Sequence, residues 1–207
     1  MKKSSPTLII YGILVIQLLV TNGCQRLSQS MKDTFNTNPE EPVWNSPKER
    51  ITGFVTDKAG LDSAEIRLRE LPQFRAKTIN LYADIHFYDD GRIMAKLQHP
   101  ENLEYVDAYN YDGSQWSQPT PVQLSVHDKI KDRLVALDSV PFHTAASVVK
   151  NYNEKAAAIE GASPTDHVYL IMHSGIVQWY PNQIDGSREA WSVFFNLDGS
   201  VSSFLRN

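Results

Sequence analysis

From Ile79 to Tyr88 apolar and polar residues alternate one for one. Ile79, Leu81, Ala83, Ile85 and Phe87 interleave with Asn80, Tyr82, Asp84, His86 and Tyr88. A period of two sends the sets to opposite faces of a strand. The pattern predicts a strand over 78–88, turned at Asp89-Asp90-Gly91 into a return strand over 92–98. His99-Pro100-Glu101-Asn102 connects to a strand over 104–111, and Asp112-Gly113 turns into 115–122. Asp-Gly between alternating runs is a strong hairpin signal, because such turns need positive φ at their central residues. The order recurs downstream. Residues 168–173 turn at Ser174-Gly175 into 176–180, a loop through Asp185-Gly186 leads to 189–197, and Asp198-Gly199 turns into 200–205.

A helical period precedes each β run. Leu61, Ala64, Leu68 and Leu71 lie 3, 4 and 3 apart, predicting a helix over 62–71 capped by Asp62 or Ser63 and stopped by Pro72. Phe142, Ala145, Val149, Tyr152, Ala156 and Ile159 mark a second helix over 142–159, with Gly161 at its C-terminal cap. Residues 127–137 could add a short helix, with Ile130, Leu134 and Leu137 on one side.

Each half, 51–126 and 127–207, therefore reads helix, hairpin, connector, hairpin. The hairpin glycines are 22 residues apart in the first half (Gly91, Gly113) and 24 in the second (Gly175, Gly199). The expected class is α+β with antiparallel sheets and one helix per half. Two arrangements satisfy it: a tandem α-β-β-β-β repeat, or one continuous sheet with two helices on one face. The outline is similar to the tandem-repeat β-lactamase inhibitory protein and, more loosely, to PepSY-type domains. The small lipoprotein of the outer-membrane barrel-assembly machine is another two-layer comparison. No motif ties the sequence to any of them, so the likeness licenses no function.

The N-terminus has its own pattern. Met1-Lys2-Lys3 is cationic, and Leu8 to Val20 is a run of 13 almost wholly apolar residues. A membrane-spanning helix needs about 20, whereas a charged start, a short apolar centre and small residues after it make a secretory signal peptide. Gly23 is the small residue, and Cys24, the only cysteine, follows it. This segment resembles a bacterial lipoprotein precursor, with Thr21 and Asn22 standing where the lipobox usually has Leu and Ala or Ser. The resemblance implies cleavage after residue 23, diacylglycerol on the Cys24 thiol and acylation of the new amine. It also implies residence on the periplasmic face of the outer membrane, since Gln25 replaces the Asp that retains such proteins at the inner membrane. An uncleaved N-terminal anchor is the alternative. Residues 24–50 read as the lipidated cysteine and a tether, in which Val43 and Trp44 are the groups able to dock on the body.

Composition changes little else. Hydrophobic residues are 42% and charged residues 21% of 207, ordinary for a folded chain. Lys plus Arg is 20 and Asp plus Glu 24; removing residues 1–23 takes Lys2 and Lys3, so the body carries 18 minus 24, or −6. An acidic body argues against a nucleic-acid partner. One cysteine excludes an internal disulfide and a Cys-rich zinc site.

Candidate chemistry is sparse. The six histidines form neither His-x-His nor His-x-x-x-His. His167 and His173, six apart on one strand face, are about 20 Å from each other, too far to share an ion. No Gly-x-Ser-x-Gly elbow or phosphate-binding loop occurs, and His173-Ser174-Gly175 sits at a turn. No catalytic residue, metal or cofactor is expected. The strand faces say more. Tyr82, Asp84, His86 and Tyr88 form a polar-aromatic face, and Tyr105, Asp107, Tyr109 and Tyr111 share one face of a later strand. Together they predict an outer surface for a protein partner, because Tyr offers rigid amphipathic area with a hydrogen-bonding tip. Trp179, Tyr180 and Trp191 are expected in the core, with Trp191, Val193, Phe195 and Leu197 on one strand face. A lipid-anchored, non-enzymatic binder (an inhibitor, immunity protein or assembly accessory) is the leading reading. An envelope hydrolase with a dispersed site and a small-ligand or glycan binder are the alternatives.

Overall fold

The computed structural model describes residues 52–207. The expected signal peptide, Cys24 and the expected tether with Trp44 lie outside the described residues.

Helix α1 (Lys58–Arg69) starts four residues before the expected position. Asp57 caps it, accepting from the Ala59 amide. Gly60 makes room for this cap, since a Cβ there would stand 2.6 Å from an Asp57 carboxylate oxygen. Asp62, expected as the cap, instead meets His143 Nδ1 at 2.7 Å. Leu61, Ala64 and Leu68 are buried, as the spacing predicts. Helix α2 (Thr144–Ala156) is shorter than its apolar stripe, but all six stripe residues are buried. Glu65 ties the helices together. Its Oε1 accepts from Arg69, which also reaches Asp138, and its Oε2 accepts from the Phe142 amide.

The described residues hold ten strands: β1 (Asn80–Tyr88), β2 (Arg92–Gln98), β3 (Val106–Asp112), β4 (Thr120–Pro121), β5 (Leu134–Ala136), β6 (His167–His173), β7 (Ile176–Tyr180), β8 (Gln183–Asp185), β9 (Ala190–Phe195) and β10 (Val201–Arg206). The class is α+β with two antiparallel sheets, as expected. One runs β4-β3-β2-β1-β6-β7, with β5 also on β1; the other is β10-β9-β8. The first strand after each helix pairs with its counterpart: β1 joins β6 with Asp84 opposite Ile171, His86 opposite Tyr169 and Tyr88 opposite His167. The halves thus meet in one sheet, and residue 126 divides chain segments within a single compact unit. The expected strand over 115–122 reduces to β4 and a bridge from Trp116 to Tyr111. Residues 127–137 form a 3₁₀ turn at Ile130–Arg133 and then β5, where a short helix was one expectation.

Both helices pack on one face of the large sheet. Their stripes join Leu81, Ile85, Phe87, Ile93, Leu97, Val168, Leu170 and Trp179 in the main core. Phe87 meets Phe142 edge-on at 5.2 Å, and the Trp116 indole N–H donates to the Ala64 carbonyl at 2.8 Å. A smaller cluster of Tyr82, Ala83 and Val106 lies apart from it, covered by Val122, Leu124, Ile130 and Leu134. In the small sheet Val193 and Phe195 are buried, but Trp191 is only partly so, stacked on Phe204 at 4.6 Å, and Leu197 is exposed. Tyr180 departs from the core expectation altogether, for it stands opposite Tyr169 on the far face from Trp179. No helix among the described residues is long and apolar enough to cross a membrane.

Candidate functional site

The far face of β2, β1, β6 and β7 carries a ladder of planar side chains. Alternation turns Phe87, Val168, Leu170 and Trp179 to the helices, which leaves His86, Tyr88, His167, Tyr169 and Tyr180 half-buried on the other side. Register then sets the stacking. Tyr88 lies on His167 at 4.2 Å with planes 2° apart, His86 on Tyr169 at 4.9 Å, and Tyr169 on Tyr180 at 5.1 Å. The Arg92 guanidinium covers the near side of Tyr88 at 4.5 Å while donating to Asp90 at 2.7 Å. Such cross-strand aromatic pairs contribute about 0.5–1.5 kcal/mol each beyond their buried area.

A polar chain runs through the ladder. Lys96 Nζ donates to Asp84 Oδ2 at 2.7 Å, and His86 Nε2 faces Asp84 Oδ1 at 3.6 Å. The other nitrogen of His86, Nδ1, hydrogen-bonds His167 Nε2 at 3.1 Å. Burial opposes the charge on Asp84, yet its bonds to His86 and Lys96 outweigh burial and hold the carboxyl below its usual range. Burial, followed by the neighbouring His86, pushes His167 below the ordinary imidazole value.

The eight expected partner-binding residues do not share this surface. Asp84, His86 and Tyr88 do. Tyr82 is buried in the small cluster, its hydroxyl accepting from Arg133 at 3.3 Å. Val122, Leu124, Ile130 and Leu134 pack over it, beside a bulge where four steps along β1 from Leu81 to Ile85 oppose two along β2 and Ala83 takes φ 64. Tyr109 and Tyr111 belong to the helix-facing core, opposite Ala95 and Ile93. Tyr109 packs on Phe74 at 5.5 Å and accepts from Gln73 at 3.3 Å. Asp107, opposite Leu97, is buried on that face as well. Tyr105 precedes β3, 60% exposed and edge-on to His99. The outward residues of β3 are Ala108 and Asn110, opposite Lys96 and Met94.

His167, Tyr169, Tyr180, Arg92 and Lys96 complete the site without having been singled out for it. The spacing of His167 and His173 was read within one strand, but the partner of His167 lies 81 residues away on another. Because stacking covers the ring faces, the ring edges are the parts of the ladder left open to contact. Edges donate and accept hydrogen bonds; sugar rings seek open aromatic faces. Among the described residues no group of three or more His, Cys, Asp or Glu converges to hold a metal ion.

No family model matches the chain, and no curated protein or solved structure is significantly similar to it.

Proposed function

We propose that this chain is a lipid-anchored protein of the bacterial envelope, held by acylated Cys24 on the periplasmic face of the outer membrane. It binds a protein partner through the outer face of its large sheet and catalyses no reaction. The anchor rests on the N-terminal pattern alone: a cationic start, 13 apolar residues and Gly23-Cys24. Two or more acyl chains hold a protein on a membrane far more firmly than one.

The observation that carries the binding role is the stacked row Arg92, Tyr88, His167, His86, Tyr169 and Tyr180, spanning four strands on the face opposite both helices. Tyr and Arg are the residue types enriched at interface hot spots, and here stacking already fixes their rotamers, which lowers the ordering cost of binding. Edge-on rings suit the mixed hydrogen-bonding surface of a protein better than a glycan. The chain Asp84–His86–His167 orders imidazoles as a hydrolase does, but it ends on a second imidazole where a hydrolase places its nucleophile.

Site-specific photo-crosslinking in whole cells tests this. A photoreactive residue at position 180 should trap a discrete protein adduct, and Tyr169→Ala should reduce that adduct several-fold. The same probe at Ser63, exposed on α1, should trap none. Equal yields at both positions would refute a binding role for this face.

A further inference from the structure

The His86–His167 hydrogen bond crosses the seam where the two halves of the chain join. Two imidazoles have four ring nitrogens. The neutral pair holds two protons and the singly charged pair three, and either can keep one N–H pointing at a lone pair across the 3.1 Å gap. A fourth proton sets N–H against N–H between two cations. The bond therefore survives the first added proton and not the second.

The surroundings decide where the charges go. On β1, Asp84 lies at the His86 end, 3.6 Å from Nε2, so a single positive charge is best compensated there. Lys96 on β2 shares that carboxylate at 2.7 Å and leaves it less to offer a second cation. At the His167 end, Arg92 from β2 and His86 itself oppose further charge, whereas Asp166, just before β6, favours it. Tyr88 on β1, Tyr169 on β6 and Tyr180 on β7 stack around the pair and stay uncharged in acid.

We propose that the His86–His167 pair is an acid-triggered latch on the β1–β6 seam, closed while it carries at most one extra proton and opened by the second. Opening drives the two rings apart and breaks the stacks of Tyr88 on His167 and of His86 on Tyr169. The face then loses its rigid row of edges. That consequence for a partner rests on the binding role proposed above, but the latch itself is measured without any partner, so failure of one is distinguishable from failure of the other.

Histidine side-chain ¹⁵N NMR on the full chain in detergent micelles reads the latch directly. At neutral pH a through-hydrogen-bond ¹⁵N–¹⁵N coupling should link His86 Nδ1 and His167 Nε2. The pair should take up its two protons in separate steps, the coupling vanishing with the second. In His86→Gln the titration of His167 should move up towards the ordinary imidazole value. A pair that takes up both protons in one step, a His167 that ignores replacement of His86, or a coupling kept when both rings are charged would overturn the proposal. The wild-type coupling and titration decide it even if a variant fails to fold.

Discussion

Replacing Tyr109 and Tyr169 by Ala, one at a time, separates the two faces of the large sheet. Tyr109 is 1% exposed, packed on Phe74 with its hydroxyl bonded to Gln73. A buried Tyr covers roughly 150–250 Å². At about 25 cal/mol per Å² that is some 4–6 kcal/mol, reduced by a few tenths of its value for residual burial in the unfolded chain. Truncation should therefore cost about 3–5 kcal/mol, the range known for large aromatic-to-Ala changes. For a body of this size it would lower Tm by roughly 6–20 °C. Tyr169 is half-buried and would lose mainly its stacks on His86 and Tyr180, about 1–3 kcal/mol together. Urea unfolding of the full chain in detergent, followed by Trp fluorescence, measures both. A variant Tyr169→Ala that loses more than Tyr109→Ala would mean that the core and outer faces have been exchanged.

Three further outcomes follow from particular groups. Cys24→Ser should abolish labelling by a palmitate analogue and leave unprocessed precursor on a gel; unchanged labelling would remove the lipid anchor. Gly199 has φ 79 and its Cβ would stand 2.9 Å from Ser147 Cβ and 3.0 Å from the Thr144 carbonyl, while Gly175 has φ 77 and open space around it. Gly175→Ala should thus cost only the backbone penalty of about 1–2 kcal/mol, and Gly199→Ala distinctly more; equal losses by thermal melting would contradict the α2–turn contact. In acid, two linkage windows should open in order. His167 is lowered in the fold, so the unfolded chain takes up its proton first and stability falls as pH drops below about 6.5. Asp84 is also lowered, so its contribution is present above the unfolded value near 3.8 and is lost as pH falls through the folded one. Asp84→Asn should remove the second window and leave a dependence on His167, read from urea midpoints against pH.

The sequence made the hairpins legible because their signals are local. Strands 92–98 and 176–180 have the expected bounds, each beginning at or just after a glycine turn. The stripe of α2 was equally legible, since its six residues need only the helical period and a core to face. The error at Tyr109 and Tyr111 came from treating Tyr as the polar member of an alternating pair when its partners were Val106, Ala108 and Asn110. Counting from the loop corrects it. Gln98 pairs with Val106, so Leu97 meets Asp107, Ala95 meets Tyr109 and Ile93 meets Tyr111, and the core side of β2 fixes the core side of β3. Tyr82 was hidden because its cover, Val122, Leu124, Ile130 and Leu134, comes from a segment about 40 to 50 residues further on that no alternation within β1 reveals. The ladder itself required knowing that β1 lies against β6, a pairing that no local pattern encodes.

That pairing has a cost during folding. One edge of β1 gains β2 within a few residues, but the other waits for β5 at Leu134–Ala136 and for β6 at His167–His173. The nearest β6 partner, His167 for Tyr88, arrives 79 residues later. Until both arrive, the chain carries an unpaired strand whose buried face includes Leu81, Ile85 and Phe87, the kind of open edge that recruits other strands. A chaperone that holds residues 80–88 until β6 has joined them should raise the yield of folded protein more than one acting after the sheet has closed.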